Sequence, residues 1–284
     1  GKVKSMQIGI MDGTVVRPTL SETLDAIVNH GIYCMQFGLG RVGLPELPEQ
    51  IDTELCDQIR KEFDERNINM AAISGTFNMI HPDLQQRTDG LRRLRVLASA
   101  CERVGTSIIT LCTGTRDPNS MWRRHPDNDL LEAWNDLVGT MHQALQIAEE
   151  YKITLALEPE VANVVDSAQK ARRLLDEMGS PYLKIVIDGA NIFHTGELMH
   201  MREILDEAFA LLSEDIVIAH AKDLDHDGEA GHLAAGKGLL DYNHYLSLLN
   251  GLEFDVPLIL HGLSEAQVPE CIDFLRKKIE ATNT

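Results

Sequence analysis

Positive charge and aromatic side chains are both scarce in this 284-residue chain: Lys and Arg number 26 against 44 Asp and Glu, a net charge of −18, and Phe, Trp and Tyr make up 5%. Nucleic acid and membrane surfaces are therefore disfavoured as partners, because both are recognised by clustered Lys/Arg that displace counterions or sense anionic headgroups. No apolar run approaches the ~18 residues of a membrane span, and the N-terminal stretch lacks the charged-then-apolar order of a secretory signal. The five cysteines, Cys34, Cys56, Cys101, Cys112 and Cys271, are odd in number and never closer than eleven residues. That spacing offers neither a C-x-x-C pair nor a disulfide framework, and a reducing cytoplasm is the expected location. A G-x-G-x-x-G fingerprint is missing after the first apolar run, where the chain reads Gly9-Ile10-Met11-Asp12-Gly13. A dinucleotide-binding fold loses its main support there.

What the chain does have is alternation. Short apolar runs at 6–10, 33–39, 69–74, 107–112, 153–157, 183–187, 216–219 and 257–260 are separated by amphipathic stretches at 21–30, 51–67, 91–104, 129–152, 167–178, 200–212, 242–249 and 265–281. Each run is too short for a helix and too continuously apolar for a half-exposed strand, which is the pattern of buried parallel strands. Strict alternation of eight strands and eight helices in a chain of this length predicts one closed (β/α)8 barrel over residues 1–284, an α/β fold without a second domain. Ser21 reads as an N-cap of the first helix. The longest connection, 113–128, follows the fourth strand and is expected on the catalytic face as a lid.

Catalytic groups of such a barrel stand at the C-terminal ends of its strands. The last four runs are followed at once by Glu158, Asp188, His220 and His261. Two carboxylates buried beside two imidazoles oppose ionisation unless a cation sits between them. One divalent metal relieves that conflict, and oxygen plus imidazole donors suit Mn, Co, Zn or Fe rather than Ca or a thiolate-seeking ion.

In this context the motifs Leu157-Glu158-Pro159-Glu160, Ile187-Asp188-Gly189-Ala190-Asn191, Ala219-His220-Ala221-Lys222-Asp223 and Gly236-Lys237-Gly238 followed by Asp241-Tyr242 resemble the xylose-isomerase-like TIM barrels. That family takes in sugar and sugar-phosphate isomerases and epimerases, inosose dehydratases and endonuclease IV. The resemblance covers essentially the whole chain and implies one catalytic metal held by Glu158, Asp188 and His220, with a fourth ligand from the eighth strand. Two positions depart from it. His261 stands where the epimerases carry a second glutamate, and Asn191 stands where a histidine is usual. An imidazole nitrogen either ligates or shuttles protons, so His261 is expected in one role or the other. The implied activity is isomerisation or epimerisation of a small sugar or sugar phosphate through a metal-stabilised enediolate, with Glu158 as base and His261 or water returning the proton.

Three rivals share the residues: a sugar or inosose dehydratase or related lyase, an endonuclease IV-like phosphodiesterase, and a carbohydrate-binding barrel without turnover. His81 and His232 fall where the nuclease relatives carry additional zinc ligands, and a sugar-hydroxyl contact is their other reading. Asn191, Lys222 and Trp122 are further candidates for substrate contact, and Glu160 for orienting a metal ligand. Gly236-Lys237-Gly238 reads as a plain turn before it reads as a phosphate cradle. A small-molecule sugar is the expected partner, and the composition leaves room for a homo-oligomer.

Overall fold

The computed structural model describes residues 6–283. Eight parallel strands, β1 (Ile8–Met11), β2 (Cys34–Phe37), β3 (Asn69–Ser74), β4 (Ile108–Leu111), β5 (Thr154–Leu157), β6 (Leu183–Asp188), β7 (Ile216–Asp223) and β9 (Leu258–Leu260), pair in sequence. The ring closes through β9, which pairs with both β1 and β7. The two-residue β8 (Leu233–Ala234) adds antiparallel to the end of β7. Helices α1 (Leu20–Asn29), α2 (Thr53–Glu65), α3 (Leu84–Val104), α4 (Leu131–Tyr151), α5 (Ala168–Met178), α6 (Met201–Leu212), α7 (Tyr242–Asn250) and α8 (Val268–Thr282) alternate with the barrel strands. The expected (β/α)8 barrel is thus the fold. Among the described residues, no helix is long and apolar enough to cross a membrane.

Side chains alternate across each strand, so every strand has one set facing the helices and one facing the barrel axis. Leu, Ile, Met and Phe of the outer set, such as Met35, Ile73, Ile109, Leu155 and Ile187, join the helices in one large core. The inner set is smaller. Cys34, Ala72, Ala156, Val186, Ile218 and Ile259 pack on one another as a separate plug. On β1 this layer is Gly9, where an added Cβ would lie 2.6 Å from Ile259 and 2.9 Å from the Cys34 carbonyl.

Several boundaries differ from the periodicity. Helix α3 begins at Leu84 rather than 91, capped by Asp83, whose side chain accepts from Gln85 N. Its polar first two turns carry no apolar stripe to read. Helix α1 is capped by Thr19, which accepts from Glu22 N, while the Ser21 hydroxyl accepts from Arg66 at 2.7 Å. Strand β7 runs to Asp223 instead of ending at 219, because Lys222 and Asp223 pair with Ala234 and Leu233 of β8. The 113–128 connection is pinned rather than loose: Asn78 Oδ1 accepts from Thr115 N, Asn128 Oδ1 from Arg116 N, and Asp117 Oδ1 from Asn119 N and Ser120 N.

Candidate metal centre

Two residues beyond each member of the inner plug, the alternation returns a side chain to the axis at the C-terminal mouth. Those positions are Met11, Gln36, Ser74, Thr110, Glu158, Asp188, His220 and His261. All but the fully buried Asp188 line a cavity of about 930 Å³. The Asp188–His220 pairing of β6 and β7 sets these two side by side. Tyr245 braces the same strands, its hydroxyl donating to the His220 carbonyl at 2.9 Å, and Tyr242 donates to the Lys222 carbonyl at 2.6 Å.

Ligand atoms of Asp188, His220 and His261 all lie within 4.8 Å of one another. His220 Nδ1 is 3.2 Å from Glu158 Oε1 and 3.5 Å from Asp188 Oδ2. Neither contact has hydrogen-bond geometry, and Asp188 Oδ2, His220 Nδ1 and His261 Nδ1 are buried without a hydrogen-bond partner. The opposite nitrogen, His220 Nε2, lies 2.8 Å from Gln36 Oε1. With the ring proton on Nε2, Nδ1 presents a lone pair to two carboxylates. Such a gathering of acceptors is costly in a buried site unless a cation occupies its centre, so the residues present fit a divalent ion with one carboxylate and two imidazoles, and Glu158 adjoins it through His220.

The electrostatics agree. Burial depresses His261 to about 3, aided by His220 and Lys222, which leaves a neutral imidazole with a free lone pair. Burial opposes ionisation of Asp188, but Lys222, 3.4 Å away, and His220 outweigh it and hold the carboxyl below the usual range. Burial raises Glu158, against the pull of His220 and Lys222. Asn191 Nδ2 donates to Glu158 Oε2 at 2.8 Å, and Asn191 Oδ1 accepts from Gly231 N.

The structure therefore brings Glu158, Asp188, His220, His261, Lys222 and Asn191 together, with Trp122, 57% exposed, at the cavity edge. Asn191 is occupied in holding Glu158 rather than free for a substrate. Glu160 also lines the cavity, but its Oε1 accepts from Ala162 N and its Oε2 has no partner. Burial pushes this carboxyl up to about 7. Two candidates lie elsewhere. His81 precedes α3 in a smaller surface pocket, its Nδ1 accepting from Asp83 N and its Nε2 3.2 Å from the Pro118 carbonyl. His232 is exposed, its ring 5.5 Å from that of His226. Gln36 and Thr110 lie inside the apolar runs 33–39 and 107–112, so a search for polar residues directly after each run passes over them. The period of two from Cys34 and Ile108 was the signal that pointed to them.

A closed barrel with clustered carboxylate and imidazole donors at the C-terminal strand ends has the general layout of barrel enzymes. More specifically, the chain belongs to the xylose isomerase-like TIM barrel family, whose model matches residues 24–278. No curated protein matches it. Among solved structures it is similar to the 3-keto-D-glucoside 4-epimerase YcjR from E. coli, at 15% identity over 96% of this chain and 100% of that one, TM-score 0.72. It is similar to the IolI protein solved with a zinc atom, at 17% identity over 98% of each chain, TM-score 0.71. The probable 3-DHS dehydratase AsbF from Bacillus anthracis matches at 13% identity over 98% and 99%, TM-score 0.72. At these identities the likenesses establish the fold.

Proposed function

We propose that the protein is a metal-dependent isomerase or epimerase of a small sugar or sugar phosphate. One observation carries the reading: three buried acceptors without a hydrogen-bond partner, Asp188 Oδ2, His220 Nδ1 and His261 Nδ1, converge beside Glu158 at the floor of the cavity of about 930 Å³. These side chains would hold Mn, Co, Zn or Fe. When bound, such an ion supplies the positive charge that polarises a carbonyl oxygen and acidifies the neighbouring C–H. Glu158, steadied by Asn191, takes the proton from that carbon. Lys222 projects into the cavity from the same strand as His220 and offers an ammonium to the oxygen on which charge develops. Trp122 covers the ring of the bound sugar.

His261 belongs with the ligands in this reading, because its neutral buried imidazole is a poor acid; proton return then falls to Glu158 or water. The similarity to a dehydratase keeps elimination from the same deprotonated intermediate as a second outcome. A three-metal phosphodiesterase is the weaker reading, since His81 and His232 stand away from the cavity. The test is incubation of metal-loaded protein with a panel of ketoses in deuterated water, read by label at carbon. Glu158→Gln is expected to lower incorporation by about 10²–10⁴-fold, the usual worth of a positioned base. Exchange retained in that variant removes Glu158 from the role, and a wild type that exchanges no ketose refutes the isomerase reading.

A further inference from the structure

Gln36 is 3% exposed and stands on the inner face of β2, across the barrel from β7. The register of β2 on β3 skips a residue there, Met35 pairing with Met70 and Gln36 with Ala72. Its amide spans the interior: Nε2 donates to Thr110 Oγ1 at 3.1 Å on β4, and Oε1 lies 2.8 Å from His220 Nε2 on β7. A buried amide joining two other strands is expensive to retain where an apolar residue would pack, unless its polarity is used.

An imidazole ligand can bind an ion through one nitrogen only if its proton resides on the other. In His220, Nδ1 faces Asp188 and Glu158, and those carboxylates attract the ring proton to that side, where it would block the donor atom. An acceptor at Nε2 opposes them. We infer that Gln36, oriented by Thr110, is a positioning residue that keeps the His220 proton on Nε2 and so frees Nδ1 for the ion. The inference rests on the metal-centre reading. Gln36 touches no substrate in this role; it acts through His220. Thr110 matters because its hydroxyl accepts from the amide N–H and thereby turns Oε1 toward the imidazole. A valine there would leave the amide free to reverse, with its NH₂ donating to Nε2 and the ring proton displaced to Nδ1.

The experiment compares wild type, Gln36→Met, Gln36→Glu and Thr110→Val by titrating the metal-free proteins with Co²⁺ and Zn²⁺ in competition with a chelator. Long-range ¹⁵N–¹H spectra of the imidazoles read the His220 tautomer in the zinc forms. Gln36→Met matches the side chain in length and is expected to weaken metal binding by about 10–100-fold, the usual effect of removing the partner of a histidine ligand. Gln36→Glu restores the acceptor and is expected to recover most of that loss. Thr110→Val should fall between, and thermal unfolding of the metal-free forms identifies any variant that has lost its fold. Equal affinities for wild type, Gln36→Met and Thr110→Val overturn the assignment. So does zinc found on Nε2 of His220 in the wild type. Wild type that binds neither ion refutes the metal centre itself, which is a distinct result.

Discussion

Asp12 directly follows β1, with its carboxyl packed against Gly38 and its Oδ1 3.0 Å from Arg41 Nε. The two atoms lack hydrogen-bond geometry, and both are buried without another partner. Burial dominates Arg41 here and pushes the carboxyl up from 3.8 to about 6. A group that keeps its proton more firmly in the folded chain than in the unfolded one contributes stability below pH 3.8 and loses it as pH climbs through 6. The shift corresponds to at most about 3 kcal/mol. Urea unfolding at pH 4 and pH 7.5 should therefore show the stability of Asp12→Asn relative to wild type rising with pH by up to that amount. A pH-independent difference would mean that Arg41 fully compensates the buried charge. None of this was legible in the residue string, where Asp12 is one acid among many; its environment comes from Gly38 and Arg41 on a neighbouring connection.

At the level of elements, the end of β7 shows why a suggestive motif was structural. Asp223 is fully buried, and its Oδ1 accepts from Leu224 N and Leu240 N, its Oδ2 from Gly236 N. The Gly236-Lys237-Gly238 turn is thus folded onto Asp223. Gly236 has φ +91°, and a Cβ on Gly238 would lie 2.3 Å from the Leu224 carbonyl. Lys237 pairs with Glu270 at 2.5 Å, so the turn spends its N–H and its ammonium on the protein. Asp223→Ala strands the buried N–H groups of Leu224 and Leu240 and releases that of Gly236, and is expected to cost about 3 kcal/mol or more, since hydrogen bonds to a charged acceptor are worth ~1.5–3 kcal/mol each. Denaturant titration measures it, with Asp223→Asn recovering part. A loss under 1 kcal/mol would show that the turn holds without the carboxylate. Helix α3 makes the complementary point: its start at Leu84 rests on the Asp83 cap rather than on an apolar stripe.

For the molecule as a whole, the net charge of −18 works against a polyphosphate ligand, and the described residues contain one cluster of three or more donors able to hold an ion. About one equivalent of divalent metal per chain is therefore expected by plasma emission after loading. Metal at 100 times its Kd should add about 2.7 kcal/mol to stability, seen as a rise in the thermal midpoint that a chelator reverses. Three equivalents would favour the phosphodiesterase, and none under replete conditions a binding barrel.

Eightfold alternation of apolar runs and amphipathic stretches determined the barrel, because a strand buried on both faces and a helix with one apolar stripe leave different periods in the chain. Barrel topology then placed Glu158, Asp188, His220 and His261 at one mouth, since each directly follows an apolar run. Only the closed tertiary structure decided which atoms lack partners, that His261 is held neutral by burial, that Asn191 grips Glu158, and that Gln36 crosses from β2 to His220. Those facts depend on contacts between residues as far apart as 36 and 220. Local periodicity carries no information about such distances, whereas desolvation and hydrogen bonding are set by them.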